Sequence, residues 1–135
     1  MNEQLGKKNK LCSQKQIQAV FDLKTSLKYY PFVVHYGILP LPADVSFQVT
    51  VSAPKRNFKK AHDRNRLKRL MRESIRKNKL ILEPLLLENG QQLALFMVYI
   101  AREELSLDFL QKKTKQLFKQ LINEISKVPT SKINS

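Results

Sequence analysis

The sequence is short of the residue types on which several kinds of functional site depend. Of its 135 residues, one is cysteine, two are histidine and three are glycine, and tryptophan is absent. A single cysteine allows neither an intrachain disulfide nor a thiolate-rich metal site. The glycines Gly6, Gly37 and Gly90 lie too far apart to form a phosphate-binding loop. The composition therefore excludes a disulfide scaffold and argues against a nucleotide hydrolase.

Groups that commonly catalyse reactions or bind metals are not clustered. His35 and His62 are far apart in the sequence, and neither has a cysteine or carboxylate cluster beside it. Asp63 is better explained as a first-turn charge that favours the helix dipole than as a general base. The acidic residues Glu103, Glu104 and Asp108 are likewise expected at a helix N-terminus. We predict no catalytic residue, no metal site and no cofactor in the protein.

Long apolar segments are also missing. No run of 18 apolar residues occurs, and residues 1–10 are polar and lysine-rich without a hydrophobic signal region. These features predict a cytoplasmic protein with no membrane partner. We expect a single domain over residues 1–127 with a basic, flexible segment at 1–10, followed by a disordered tail at 128–135.

Acidic residues are outnumbered more than twofold by basic ones. The chain has 25 Lys and Arg against 11 Asp and Glu, which gives a formal net charge of +14. Its hydrophobic fraction of 42% is too high for a disordered polycation, so a folded domain is expected. So large a net positive charge on a small domain predicts an extended polyanionic partner, and nucleic acid fits best.

Hydrophobic periodicity places three helices and about four strands along the chain. Helices are predicted over 13–24, 61–77 and from Ser106 to about 125, because apolar residues recur there at helical spacing. Strands are predicted over 32–38, over 45–51 and over 93–101. A short partner strand is considered before the first, and the last is expected to be an interior strand. Residues 80–87 contain Pro84 and are predicted to be an irregular or weakly helical connector ending at Asn89-Gly90.

The order of these elements is α-β-β-β-α-β-α. It predicts an α+β fold, a two-layer α/β sandwich with an approximately four-stranded mixed sheet and three helices. In the strand over 45–51, apolar residues alternate with Ser46, Gln48, Thr50 and Ser52, which predicts one polar sheet face.

Positive charge is concentrated in the second helix and the turn before it. Twelve of the 25 residues from Lys55 to Lys79 are Lys or Arg. Helical geometry places Arg66, Arg69, Arg72 and Arg76, with Asn65, opposite an apolar side. Clustered charges of one sign repel each other unless an anion compensates them, so a merely solvated face is a poor explanation. This helix is predicted to bind nucleic acid.

The segment from Phe58 to Glu73, FKKAHDRNRLKRLMRE, closely resembles the signature of the ribonuclease P protein family, above all in its Arg64-Asn65-Arg66 core. Further matches are KNKL ending at Leu11, Val20-Phe21, the run FVV from Phe32, and the run VTVS ending at Ser52. The resemblance covers roughly residues 9–125. It implies an α/β sandwich with a left-handed βαβ crossover, although general connection rules favour the opposite hand.

The resemblance also implies the function and its partners. The protein would bind ribonuclease P RNA, in a 1:1 complex, and the 5′ leader of precursor tRNA, while the RNA with its magnesium ions hydrolyses the bond. Contacts with the RNA subunit are implied for Lys55, Arg56, Lys59, Lys60, His62, Arg64, Asn65, Arg66, Lys68, Arg69, Arg72 and Arg76. Contacts with the leader, in a cleft between the first helix and the sheet, are implied for Lys10, Ile17, Phe21, His35, Tyr36, Gln48 and Thr50.

Several points stay open on the residues alone. Phe21 suits either the cleft or the core, and His62 suits either a phosphate contact or simple exposure. Ile17 and His35 stand where many relatives of this family carry phenylalanine and tyrosine. Two other functions also share a basic helix, a structural RNA-binding protein without a leader cleft and a DNA-binding regulator. The regulator is disfavoured because no preceding helix and short turn complete a helix-turn-helix unit.

Overall fold

The computed structural model describes residues 14–42 and 45–126. Seven elements follow one another in the predicted order. The three helices are α1 (Gln14–Asp22), α2 (Ala61–Asn89) and α3 (Leu107–Ser126). The four strands are β1 (Ser26–Tyr29), β2 (Phe32–Ile38), β3 (Phe47–Ser52) and β4 (Leu93–Tyr99). The predicted α+β class, with three helices and a four-stranded mixed sheet, is confirmed.

The sheet has the strand order β1-β2-β4-β3. Strand β4 pairs antiparallel with β2 and parallel with β3, so it is the interior strand that its uninterrupted apolar sequence predicted. The predicted short partner of β2 is β1, which forms an antiparallel hairpin with it through Tyr30-Pro31. The peptide bond before Pro31 is cis. The hand of the connection from β3 through α2 to β4 stays a prediction.

The main hydrophobic core lies between one face of the sheet and the layer formed by α2 and α3. Both helices bury apolar residues at helical spacing, and these pack on alternate residues of the strands. The largest fully buried side chains are Tyr99, Phe32, Phe47, Phe118, Leu67, Met71, Ile75, Leu82, Leu86, Leu93 and Leu95. Helices α2 and α3 are thereby fixed on one side, which leaves the other sheet face to α1.

Helix α1 covers only one end of that second face. Val20 is fully buried and forms a small separate core with Ala94, against which Ile17, Leu39, Leu41 and Phe96 pack. A nine-residue helix cannot span four strands, so the rest of the face stays partly accessible. The uncovered part becomes the floor of an open cleft beside α1.

Helix α2 is longer than the sequence predicted. A separate connector over residues 80–87, irregular or weakly helical, was expected and is wrong, because α2 continues as one helix through Pro84 to Asn89. Proline removes one helical hydrogen bond, but Leu82 and Leu86 lie four residues apart and are both buried in the core, which offsets that loss. The predicted end at Asn89-Gly90 holds, since Gly90 adopts φ 65° and its N–H donates to Leu87.

Smaller differences occur at element ends and on β3. Helix α1 ends at Asp22 and β4 at Tyr99, each two residues before the predicted end. The polar face of β3 is not uniformly solvated, because Ser46 and Gln48 are each only 7% exposed. Gln48 pairs with Ala94, which belongs to the small core under α1. Across the described ranges, no helix has the length and apolar character needed to cross a membrane.

Candidate nucleic-acid interface

The uncovered sheet face is built from two rows of side chains that cross three strands. His35 of β2 pairs with Phe96 of β4, which in turn pairs with Thr50 of β3. The next row toward the carboxyl ends of β3 and β4 comprises Val33, Val98 and Ser52. Directly paired residues project from the same face of a sheet, so both rows line one surface, and every member is partly exposed. We call these two rows the cleft floor.

Three rings, those of Phe21, His35 and Phe96, meet where α1 borders the cleft floor, and we call them the ring cluster. The centroid of Phe21 lies 4.7 Å from that of His35 and 4.9 Å from that of Phe96, and those of His35 and Phe96 are 6.5 Å apart. Phe21 is 37% exposed, so it is packed on one side and accessible on the other. This arrangement resolves the two sequence readings of Phe21, which packs against the sheet and still faces the cleft.

The structure brings together Phe21, His35 and Thr50 of the sequence-predicted leader residues and adds Phe96, which sequence reasoning missed. Residues 93–101 are all apolar except for a tyrosine hydroxyl, so no alternation indicates which side chains leave the core. The pairing of Phe96 with His35 depends on the register between two strands, in which the paired residues are 61 positions apart in the sequence. The only available signal was that a central strand must present alternate residues to each face.

Other predicted leader residues lie elsewhere. The Tyr36 side chain lies on the opposite face of the sheet from the cleft, because Tyr36 pairs with Leu95 and both belong to the main core. Burial, together with the nearby Glu124 carboxylate of α3, raises the pKa of Tyr36 above its ordinary value. Gln48 is buried at the covered end of the face. Ile17 packs half-buried against the small core under α1, and Lys10 lies outside the described residues.

A cationic pocket lies at the carboxyl ends of the parallel strands β3 and β4. Arg56 and Asn57 from the loop after β3 and Arg102 from the loop after β4 line a cavity of about 260 Å³. The row containing Ser52 and Val98 ends beside these loops, so the cleft floor leads toward the pocket. No carboxylate is among the lining residues of this pocket. Arg102 was missed because its neighbours Glu103 and Glu104 make the local sequence acidic.

The outer side of α2 carries exposed cations that lie one turn apart. Arg69 and Arg72 are exposed, and neither makes a hydrogen bond or ion pair with the described part of the chain. His62 and Asn65 are exposed on the same side, and Lys68 is half-buried beside them. We call His62, Asn65, Lys68, Arg69 and Arg72 the outer face of α2.

Arg76, one turn beyond Arg72, forms an ion pair with a neighbour on its own helix. Its Nε donates to both carboxylate oxygens of Glu73, at 3.0 and 3.1 Å. These hydrogen bonds lower the pKa of Glu73 below its ordinary value. The side chain of Arg76 is only 22% exposed, so it contributes less to the outer surface than Arg69 and Arg72 do.

Arg66 lies one turn before Arg69 and its side chain is 46% exposed, but unlike Arg69 and Arg72 it forms ion pairs within the protein. Its Nε donates to Glu104 at 2.8 Å and its Nη2 to Asp63 at 3.2 Å. The hydrogen bond to Glu104 raises the pKa of Arg66. The His62 ring nitrogen Nε2 lies 3.3 Å from Arg66 Nη1. The Arg66 side chain therefore extends from α2 toward the loop between β4 and α3, where Glu104 lies.

Arg64 is also directed at the protein itself. Its Nη1 donates to the carbonyl oxygens of Phe58 at 2.8 Å and Lys59 at 2.9 Å. The loop cations Lys55, Arg56, Lys59 and Lys60 are exposed around this point. Sequence reasoning therefore located the basic segment, whose role in binding stays a prediction, but it could not separate arginines that face solvent from those that hold loops. No group of three or more His, Cys, Asp or Glu residues within the described ranges is arranged to hold a metal ion.

The sequence is similar to those of known ribonuclease P proteins. A family model described as Ribonuclease P matches residues 5–122. The ribonuclease P protein components of two Porphyromonas gingivalis strains, ATCC 33277 and W83, are each 31% identical over 131 residues, which is 97% of this chain and 93% of theirs.

Solved structures share the fold at lower identity. The RNase P protein of Staphylococcus aureus superposes with a TM-score of 0.65 at 16% identity, covering 84% of this chain and 94% of its own. The RNase P protein of Thermotoga maritima gives a TM-score of 0.65 at 20% identity, covering 82% and 96%.

Proposed function

The chain belongs to the bacterial ribonuclease P protein family, and from this premise we propose that it binds ribonuclease P RNA and positions precursor tRNA for removal of its 5′ leader. The observation that carries the proposal is the presence of two distinct surfaces on one small domain. One is the outer face of α2, and the other is the cleft floor with its ring cluster and the adjoining cationic pocket.

The outer face of α2 is proposed to hold the RNA subunit. Arg69 and Arg72 present planar guanidinium groups that can each donate two hydrogen bonds to a phosphate. Asn65 and His62 beside them can donate to phosphate or sugar oxygens. A folded RNA offers closely spaced phosphates, so a helix with cations along one side fits it better than it fits a single small anion.

The cleft is proposed to hold the single-stranded leader. Phe21, His35 and Phe96 offer ring faces on which unpaired bases can stack, and such stacking tolerates any base. Thr50 and Ser52 add hydroxyl groups along the floor, and the pocket formed by Arg56 and Arg102 can take a backbone phosphate. The leader would therefore run from α1 across β2, β4 and β3 toward the loops after β3 and β4.

The protein's own role is proposed to be binding and electrostatic screening. Its cations reduce repulsion between the phosphates of the RNA subunit and those of the substrate, so less of this screening has to come from dissolved cations. The hydrolysis is assigned to the RNA subunit and its magnesium ions, in a 1:1 complex with the protein. The residues proposed here bind and orient RNA and transfer no proton.

The test is cleavage of a precursor tRNA by a bacterial ribonuclease P RNA at low magnesium concentration, with and without the protein. The wild-type protein should restore accurate 5′ cleavage, and the double variant R69Q/R72Q should restore little. If the wild type does not stimulate cleavage and binds RNA and DNA equally well, the proposed function is wrong. A general nucleic-acid-binding role would then replace it.

A further inference from the structure

Arg64 and Arg66 each tie helix α2 to a loop that follows a strand. Arg64 holds the loop after β3 through the carbonyl oxygens of Phe58 and Lys59. Arg66 holds the loop after β4 through its 2.8 Å hydrogen bond to Glu104. Both arginines belong to the cationic segment, yet their guanidinium groups donate hydrogen bonds to other parts of the protein, although the Arg66 side chain is still 46% exposed.

The same two loops form the walls of the cationic pocket. Arg56 and Asn57 precede the segment that Arg64 holds, and Arg102 lies two residues before Glu104. The spacing of the two pocket arginines therefore depends on where both loops are held. A bidentate anion contact tolerates little displacement of its donors, so this spacing determines whether one phosphate can reach both arginines.

A second set of contacts joins the loops to the core. The ring of Phe58 packs edge-on against that of Tyr99, with the centroids 5.8 Å apart. The Tyr99 hydroxyl donates to the carbonyl oxygen of Glu103 at 2.6 Å and accepts from the N–H of Leu105 at 3.1 Å. The backbone around Glu104 is thus fixed on both sides, which makes its carboxylate a fixed anchor for Arg66.

We propose that Arg64, Arg66 and Glu104 are positioning residues for a phosphate subsite formed by Arg56, Asn57 and Arg102, whose ligand is a backbone phosphate of the precursor RNA. This inference rests on the proposed function and deepens it. It assigns to a carboxylate, Glu104, a role that supports the binding of a polyanion, and it removes Arg64 and Arg66 from the set of direct RNA contacts.

The electrostatics of the two sets of arginines support this division. The guanidinium of Arg66 lies between two carboxylates, Asp63 and Glu104, so much of its charge is already compensated. Arg56 and Arg102 are exposed and make no ion pair within residues 14–42 and 45–126. A phosphate gains more from uncompensated cations than from one that must first leave its carboxylates.

Replacing Glu104 tests the proposal, because the positioning role and general electrostatics predict opposite changes in RNA affinity. The substitution E104A raises the net charge by one unit, so general electrostatics alone predicts tighter RNA binding. The positioning role predicts weaker binding, because Arg66 loses its anchor and the loop carrying Arg102 is released. Glu103 supplies the matched control, since E103A makes the same change of charge at an exposed side chain that makes no ion pair in the described structure.

The experiment measures the dissociation constant of the reconstituted holoenzyme for precursor tRNA with a leader, using wild type, E104A, E103A, R66Q and E104A/R66Q. E104A should weaken binding about fivefold, and R66Q should do the same, with no further loss in the double variant. E103A should bind as tightly as wild type or more tightly. Equal or tighter binding by E104A would overturn the proposal and make Arg66 a direct contact restrained by Glu104.

A second pair of variants separates the pocket from general loss of structure. R102Q removes one pocket cation and leaves the contacts of Arg66 intact, so E104A should have no further effect in the R102Q background. An undiminished effect of E104A there would contradict the proposal, whatever the thermal stability of E104A. The wild-type holoenzyme is the reference, because failure of wild type to stimulate cleavage would refute the proposed function and not the subsite alone.

Discussion

Leu23 occupies the space that a side chain at position 37 would need. A Cβ built on Gly37 would lie 2.1 Å from Leu23 Cδ1, far inside van der Waals contact. Leu23 follows the last residue of α1, and Gly37 lies in β2 two residues after His35. The absence of a side chain at Gly37 therefore leaves room for the Leu23 side chain to lie on β2 just after the end of α1.

The substitution G37A should displace the Leu23 side chain. Cδ1 is the tip of that side chain and Leu23 is 47% exposed, so rotation can relieve the clash, and we expect a loss of about 1 kcal/mol or less in the free energy of unfolding, with little change in binding of leader-carrying precursor. Urea unfolding and holoenzyme binding measure the two effects. The variant L23A lacks the clashing atom, so G37A should cost less stability in the L23A background than in wild type. An equal cost in both backgrounds would show that the loss does not come from the contact with Leu23.

The outer face of α2 should control the salt dependence of RNA binding. Replacing two phosphate contacts in R69Q/R72Q should lower the slope of log affinity against log salt by about two. The control is K115Q/K119Q, which makes the same change of charge at exposed positions of α3. Filter binding or fluorescence anisotropy over a salt series provides the slopes. Equal slopes for both double variants would mean that net charge, not this face, governs affinity.

The ring cluster should distinguish precursor from mature tRNA. We expect F21A to weaken holoenzyme binding of the leader-carrying precursor by about 1–2 kcal/mol and to leave binding of mature tRNA unchanged, because only the precursor supplies a base to stack. L80A is the control, since Leu80 is 64% exposed on the remote half of α2. An equal loss for both tRNAs with F21A would place the leader elsewhere.

The Tyr99 hydroxyl should make the protein sensitive to alkali. Burial raises the pKa of Tyr99 to about 12, above its ordinary value of 10.0. As the pH rises past the ordinary value, the unfolded chain loses this proton first, so the free energy of unfolding falls through that window.

The variant Y99F isolates this effect from the titration of lysines. It lacks two hydrogen bonds of the hydroxyl and should be less stable than wild type by about 1–2 kcal/mol at neutral pH. The difference between the two proteins should shrink as the pH rises from 10 toward 12, as followed by urea unfolding. A difference that stays constant would show that the hydroxyl ionises equally in the folded and unfolded chains.

The sequence predicted what depends on local patterns. Alternation in β3, helical spacing in α3 and an uninterrupted apolar β4 each report on neighbouring residues, and these elements were confirmed. The continuation of α2 through Pro84 was not predictable in this way, because it depends on burial of Leu82 and Leu86 against other parts of the chain.

The same division applies to the candidate site. The cationic segment could be found from composition, but the direction of each arginine could not. The partner of Arg66 is Glu104, 38 residues away, and Phe96 reaches the cleft only because β4 pairs with β2 in one register. Such contacts between distant parts of the chain depend on packing of the whole domain, so they cannot be predicted from the pattern of neighbouring residues.

The strand order also has a consequence for how the protein is made. Strands β2 and β3 do not pair with each other, and each pairs with β4, which begins at Leu93. During synthesis from the N-terminus, the β1–β2 hairpin can form early, but the sheet cannot close until β4 has emerged. The cationic half of α2 is therefore complete on the order of seconds before its domain can fold. The basic segment of the nascent chain can therefore attract polyanions before β4 has completed the sheet and its cleft floor.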